Sequence, residues 1–190
     1  MRKLVYYIGV SIDGYIAGPG GEFDFYPVGD DMMAWINERY PETVPTHIRP
    51  QAALEDAPNK RFDTVVMGLG TYRPALDVGV TSPYGHVRQY VASTTLKEIA
   101  DPAVELVGDP LATVRTLKAE DGGMDVWLAG GGRLAASLLP EIDELIVKSY
   151  PVVAGGGVPA FSGAFRPTLF TPADRRTFAN GAQVTWFTRA

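Results

Sequence analysis

Cysteine is absent from this chain. Disulfides, thiolate nucleophiles and cysteine-ligated metals are thereby excluded, and the absence suits a reducing cytoplasm. Histidine is scarce: His47 lies in a proline-rich loop, and His86 follows the turn Ser82-Pro83-Tyr84-Gly85. Neither stands at metal-ligand spacing from another histidine or a carboxylate, so both read as surface residues and no metal is expected. There is no block of Lys or Arg, and the net charge is −5. That argues against a nucleic-acid surface and against a polybasic membrane anchor. Nothing approaches the ~18 consecutive apolar residues of a spanning helix. Arg2-Lys3 followed by Leu4–Val10 imitates a secretory leader. The run is short, however, and Asp13 interrupts the next segment before any cleavage site, so it reads as a buried first strand. Gly-x-Ser-x-Gly, His-Glu-x-x-His and the P-loop pattern are all missing, which leaves hydrolytic triads, zinc hydrolysis and P-loop chemistry without their residues.

What is present fits one domain over residues 1–190: 46% of the chain is hydrophobic and mean hydropathy is near zero. Apolar, β-prone runs at Lys3–Val10, Phe62–Met67, His86–Ala92, Val104–Val107, Met124–Ala129 and Glu144–Tyr150 read as strands. Between them fall helical segments: Met32–Arg39, capped by Asp30 or Asp31; a short one after Met67, limited by Pro74; Pro110–Glu120, capped by Asp109; and Gly132–Leu139. Strands alternating with short helices imply a mostly parallel sheet covered on both faces. Two further β-like runs, Pro167–Phe170 and Gln183–Thr188, are joined by a turn at Asn180-Gly181 and suggest an antiparallel C-terminal edge. Residues 40–60 carry four prolines and at most a short helix around Gln51–Glu55; a segment this irregular is more often functional or flexible than filler.

The most informative stretch is Val126–Arg133, Val-Trp-Leu-Ala-Gly-Gly-Gly-Arg. An apolar run ends in three glycines and a helix begins at once. Bare backbone N–H groups and the positive end of a helix dipole then aim at one point, where a phosphate can approach closely. Alternatively, it is only a tight strand-to-helix corner. With hydrolytic chemistry poorly supported by the motifs, several glycine or hydroxyl turns at strand ends fit a dinucleotide surface, where the cofactor supplies the chemistry.

Several motifs together resemble the dihydrofolate reductase superfamily. Val65-Val66-Met67-Gly68 with Thr71-Tyr72 is similar to that family's Met-Gly-x-x-Thr-Trp/Tyr turn. Ala129-Gly130-Gly131-Gly132-Arg133 through Pro140 is similar to its Gly-Gly-Gly-x turn and helix. Ser11-x-Asp13-Gly14-x-Ile16-Ala17 and Pro151-Val152-x-x-Gly155-x-Gly157-x-x-x-Phe161 look more like the bacterial reductase domain of riboflavin biosynthesis. The resemblance implies a three-layer α/β/α fold that binds NADPH, with NADH possible, along the carboxyl edge of the sheet, and a homodimer. It implies that Gly130, Gly131 and Gly132, with Arg133 and Leu134 at the helix start, hold the pyrophosphate. Gly68, Gly70 and Thr71 form the other phosphate-facing turn. Ser93 and Thr94 lie near the adenosine 2′-phosphate, and Gly9, Ile16 and Ala17 border the nicotinamide. Read as plain structure, Thr71 caps its helix, Ser93 and Thr94 form a polar turn, and Gly9 suits close strand packing.

Three departures stand out. Leu69 occupies a place where NADPH-using members often carry Arg, leaving Arg73 or Arg88 to reach the site from elsewhere. The acid that folate reducers hold three residues before an aromatic like Trp35 is here Met32. Its neighbour Asp31 is about 100° away around the helix, so Asp31, Asp24 and Asp13 remain the candidate acids, or merely caps. Lys148 stands where folate reducers usually have Thr. The expected activity is hydride transfer to a small heterocycle of pterin or ribosylaminopyrimidine type. The alternative is a dinucleotide-binding or sensing module without catalysis.

Overall fold

The computed structural model describes residues 1–190. In chain order the elements are β1 (Leu4–Val10), β2 (Tyr15–Ala17), α1 (Asp30–Arg39), β3 (Phe62–Gly68), α2 (Leu69–Asp77), β4 (Arg88–Ala92) and β5 (Val104–Val107). They continue with α3 (Pro110–Ala119), β6 (Asp125–Gly130), α4 (Gly132–Leu138), β7 (Ile142–Ser149), β8 (Val158–Pro159), β9 (Phe170–Thr177) and β10 (Gln183–Arg189). An eight-stranded sheet runs β5-β4-β3-β6-β1-β7-β10-β9, parallel through β7 and antiparallel at β10 and β9. The mixed α/β architecture with its antiparallel C-terminal edge is the one the alternation of strands and helices implied.

Alternate residues of β1 sort to opposite faces because side-chain direction has a period of two along a strand. Val5 and Tyr7 enter a core with Met32 and Ile36 of α1 and Tyr72 of α2. Leu4 and Tyr6 enter a second core with Val114 and Leu117 of α3 and Leu134, Ala135 and Leu138 of α4. The sheet is thus the middle of three layers.

Four details differ from the sequence reading. α1 starts at Asp30 with Gly29 as its N-cap, so Asp30 and Asp31 lie inside the first turn and do not cap it. Pro74 sits within α2, which runs three residues further to Asp77. The strand placed at Pro167–Phe170 is instead Phe170–Thr177, an exposed edge that carries Asp174, Arg175 and Arg176; charge on an edge strand discourages pairing with other chains. Residues 40–60 hold two short 3₁₀ turns, Pro41–Thr43 and Arg49–Ala52. Two buried ions fasten that segment. Glu42 accepts from the backbone N–H groups of Lys60, Arg61 and Phe62 (3.2, 2.7 and 2.8 Å), and Arg49 donates to the carbonyls of Pro41 and Ala57 (2.8 and 2.6 Å).

Candidate functional site

β3 and β6 are neighbours, and Met67 stands opposite Gly130. The two glycine corners therefore open side by side at the carboxyl rim of the sheet. A Cβ on Gly68 would lie 3.5 Å from the Gly130 carbonyl oxygen and 3.6 Å from the Gly131 nitrogen. Gly130 has φ +100°, a conformation an L side chain strains to adopt. The N-caps of α2 and α4 are Gly68 and Gly131, which have no side chain to cap with. Their first-turn N–H groups are left to an outside acceptor, and the positive ends of both helix dipoles sum at the rim. Thr71 lies in the first turn of α2, and Gly70 beside it has open space where a Cβ would go. Arg133, exposed in the first turn of α4, adds a cation there.

A second ribbon closes the rim from above. β2 pairs antiparallel with β8, and its Ile16 lies 3.7 Å from where a Gly131 Cβ would be. Two of its contacts demand glycine: a Cβ on Gly132 would come within 2.0 Å of the Pro159 carbonyl oxygen, and one on Gly157 within 2.1 Å of that of Ala17. Gly132 is thus required for docking the ribbon whatever else it does. Tyr6 extends this anchorage by donating from its hydroxyl to the Ala160 carbonyl at 2.9 Å, with the Phe161 ring edge-on at 5.3 Å.

Asp13 belongs to the ribbon. Its carboxylate accepts from Ser11 Oγ (2.6 Å) and from the N–H groups of Ala154 (2.9 Å) and Gly155 (2.7 Å). The Ser11 hydrogen bond, seconded by that from Ala154, holds the carboxyl down at about 2. Asp31 is exposed and accepts from the Ala179 N–H at 2.9 Å, which ties α1 to the β9–β10 turn. Met32 beside it takes the fully buried position. Asp24 lies exposed in the turn before α1. The three acids face three different sets of neighbours.

The floor on the α1 side is aromatic. Gly9 stands opposite Lys148 on β7, and a Cβ there would meet the Tyr150 ring at 3.1 Å and Lys148 Cε at 3.9 Å. Close strand-to-side-chain packing therefore accounts for Gly9. Tyr26 donates to the Tyr15 carbonyl at 2.7 Å and packs tilted against the Tyr150 ring at 4.6 Å. Burial pushes both phenols up to about 12. Lys148 Nζ lies 4.0 Å from the centroid of the Tyr7 ring, and burial pushes its pKa down to about 8. Tyr26 and Tyr150 do not stand out in the sequence; the two-residue period from Ile146 through Lys148 to Tyr150 is the one signal there for the second of them.

Beyond the Gly68 corner, β4 follows β3 in the sheet, with Ala92 opposite Gly68. Ser93 comes next, and its Oγ accepts from the N–H groups of Thr95 and Leu96 (3.2 and 3.0 Å). It forms the polar turn that its composition allowed, with Thr94 exposed beside it. Arg88 does not reach this rim. It opens β4 at the opposite end of the sheet, paired with Glu120 at 2.7 Å. Arg73 is exposed on α2. His86 is half-buried, within hydrogen-bonding distance of the Glu42 carbonyl (2.8 Å) and Thr46 Oγ1 (3.2 Å), so it is structural and not a free surface residue. A recess of about 740 Å³ lies elsewhere, between Trp35, Arg39, Arg176 and Trp186. Its Arg61 precedes β3 and its Glu144 lies near the start of β7, which places it toward the amino ends of the strands. No helix is long and apolar enough to cross a membrane.

The chain as a whole is similar to known proteins. The family described as the RibD C-terminal domain matches residues 2–184. Two curated Bacillus subtilis (strain 168) relatives are the uncharacterized protein YwjB, 26% identical with 96% of each chain covered, and the uncharacterized protein YyaP, 27% identical over 95% of this chain and 91% of the other. A Shewanella sp. PV-4 structure, named as a candidate riboflavin biosynthesis protein, aligns at TM-score 0.71 and 25% identity, covering 100% of this chain and 99% of its own. Enterococcus faecalis dihydrofolate reductase, solved with NADP(H) and RAB-propyl, aligns at TM-score 0.66 and 12% identity over 98% and 96% of the two chains. A Thermotoga maritima diaminohydroxyphosphoribosylaminopyrimidine deaminase/5-amino-6-(5-phosphoribosylamino)uracil reductase aligns at TM-score 0.66 and 16% identity, with 57% of its length covered. The last two show the fold.

Proposed function

The chain belongs to the RibD C-terminal domain family, and from that premise we propose that it is an NAD(P)H-dependent reductase acting on a small heterocyclic substrate of ribosylaminopyrimidine or pterin type. The observation that carries the reading is the meeting of two uncapped glycine corners on adjacent strands. Gly68, Gly70 and Thr71 at one corner and Gly130, Gly131 and Arg133 at the other would hold the two phosphates. Bare N–H groups and two helix dipoles favour negative charge there, and the missing side chains let it approach. Leu134, buried in the first turn of α4, fixes that turn to the core. Ser93 and Thr94 border the adenosine end. Ile16, Ala17 and Gly9 border the other end, where the ribbon excludes water. The bound dinucleotide supplies hydride, and the chain contributes proximity, orientation and a dry site.

The acids carry less of the reaction in this reading. Asp13 is a loop clamp whose carboxyl stays ionised, Asp31 is engaged with the β9–β10 turn, and Asp24 is solvated. The same observation favours the second reading, a dinucleotide-binding module without turnover. Tryptophan fluorescence titrated with NADPH beside NADH, followed by turnover assays on pterins and ribosylaminopyrimidines, separates the two. Saturable binding with turnover supports the reductase, and saturable binding without turnover supports the module. No binding of either nucleotide rejects both. Two copies are proposed to pair, as the resemblance implies, and a monomer by light scattering at micromolar concentration rejects that.

A further inference from the structure

Lys148 is an ammonium whose surroundings offer no carboxylate. It arises from β7 on the face that α1 covers, opposite Gly9, whose Cβ position lies 3.1 Å from the Tyr150 ring and 3.9 Å from Lys148 Cε. Its Nζ rests over the Tyr7 ring at 4.0 Å. The titratable groups packed around it are phenols: Tyr7 on β1 with Tyr40 tilted against it at 5.0 Å, Tyr150 just past the end of β7, and Tyr26 tilted against Tyr150 from the loop before α1. The other elements against this face bring Met32 from α1 and Val184 from β10, both apolar. No ion pair involves Lys148, although the chain's other buried or half-buried cations find carboxylates or backbone carbonyls. Desolvating a cation without pairing it costs stability, and a fold has little reason to keep such a group unless something outside the chain completes it. Its position suits an outside partner: the Gly9–Lys148 step lies at the carboxyl ends of the strands, two strands from Gly130, hence about 10 Å away across the sheet.

We propose that Lys148 is the charged group of the substrate pocket, and that the substrate turns a carbonyl or oxyanion toward it, not a protonated ring nitrogen. An ammonium has three donors and no acceptor, so it complements oxygen acceptors and repels the amidine-like edge that a carboxylate at this depth would bind. This rests on the reductase reading for the identity of the pocket. Within that reading, hydride adds to the carbon of a substrate C=O and the π pair moves onto oxygen. That oxygen takes a proton from Lys148 Nζ, and the neutral amine regains a proton from water. The dihydronicotinamide is oxidised and the carbonyl reduced.

The test uses two probes of one ring size on the full chain, first with and then without NADPH. Barbiturate is a pyrimidine oxyanion at neutral pH, whereas diaminopyrimidine carries a protonatable amidine edge. Barbiturate is expected to bind at least tenfold tighter than diaminopyrimidine, and to weaken as pH rises through about 8. Lys148→Met should weaken it by about tenfold to a hundredfold, and Lys148→Arg should restore part of the loss. A Lys148→Met protein that melts no lower than the parent, with unchanged NADPH affinity, shows that the pocket and not the fold was altered. Diaminopyrimidine binding tighter, barbiturate indifferent to Lys148→Met, or neither ring binding would each overturn the assignment. NADPH binding together with barbiturate binding that does not depend on Lys148 sinks this proposal alone. Lys148-dependent barbiturate binding without NADPH binding sinks the reductase reading and leaves the oxyanion site standing.

Discussion

Where the parallel strands begin, Arg2 reaches Asp63 and Glu120, Arg61 reaches Asp125 and Glu144, and Lys118 reaches Asp143. Where the same strands end, Gly68 and Gly130 open onto uncapped helices, and Lys148 and Arg133 carry charge with no carboxylate beside them. All nine ion pairs of the chain fall in the first group. One end of the sheet satisfies its electrostatics internally and the other leaves them open. A paired charge holds a fold together without inviting a ligand, whereas an unpaired cation or bare N–H group is stable only in water or against something bound. The recess near Trp35 and Trp186 lies at the paired end: Arg61 and Glu144 along it neutralise each other, and Arg176 lies over the Trp35 ring at 5.5 Å.

The largest expected effect breaks the closed end. Arg2 is almost fully buried and also donates to Thr64 Oγ1 and the Met124 carbonyl. Removing one partner of a buried ion pair costs roughly 3–5 kcal/mol. Because Asp63 and Glu120 are about one-third exposed, Arg2→Ala should cost about 2–3 kcal/mol, lowering Tm by roughly 8 °C in calorimetry. NADPH affinity of the protein that remains folded should not change. A matching loss of affinity would show that the two ends are not independent.

Gly70→Asp is the converse. Nothing lies within 4 Å of where its side chain would start, and an acid in the first turn of α2 suits the helix dipole. Tm should hold to within a few degrees, while NADPH binding by fluorescence falls at least tenfold through repulsion at the rim. Unchanged affinity would place the phosphates elsewhere.

The third effect concerns Lys148. Its pKa falls from 10.5 to about 8 on folding. Between those values the unfolded chain holds a proton that the native one has lost, so stability should rise with pH from about 8 toward 10.5. Lys148→Met should flatten that rise. Near neutral pH it should add about 1 kcal/mol, after allowing for partial solvation and the lost Tyr7 contact. A pH-melting series on the two proteins checks both.

Smallest is Asp13→Asn. The carboxyl is held at about 2 against 3.8 in the unfolded chain, so its contribution is present above 3.8 and fades as pH falls toward 2. The readout is local: faster amide exchange at Ala154 and Gly155 with little change in Tm.

Much of this contrast is legible in the chain. Gly68 and the run Gly130–Gly132 stand at the ends of apolar runs, and the order of strands and helices implies that those ends share a rim. The illegible part lies across the chain rather than along it. Gly132 and Gly157 look alike in a glycine loop, and only the Pro159 and Ala17 carbonyls reveal that both make room for the ribbon. β2 and β8 are three and two residues long, too short for any periodicity to register. β9 hides behind its charges. Asp31 and Met32 differ by one residue, and the side of α1 that each occupies depends on where the helix begins. Lys148 is visible in the sequence as a departure, but its seat is the ring of Tyr7, which belongs to another strand.

The most direct test is amide hydrogen exchange with and without NADPH. Protection is expected at residues 69–71 and 131–134 together, with the amino ends around Arg2, Arg61 and Glu144 unchanged. Protection confined to the recess near Trp35 and Trp186, or to only one of the two glycine corners, would contradict the account.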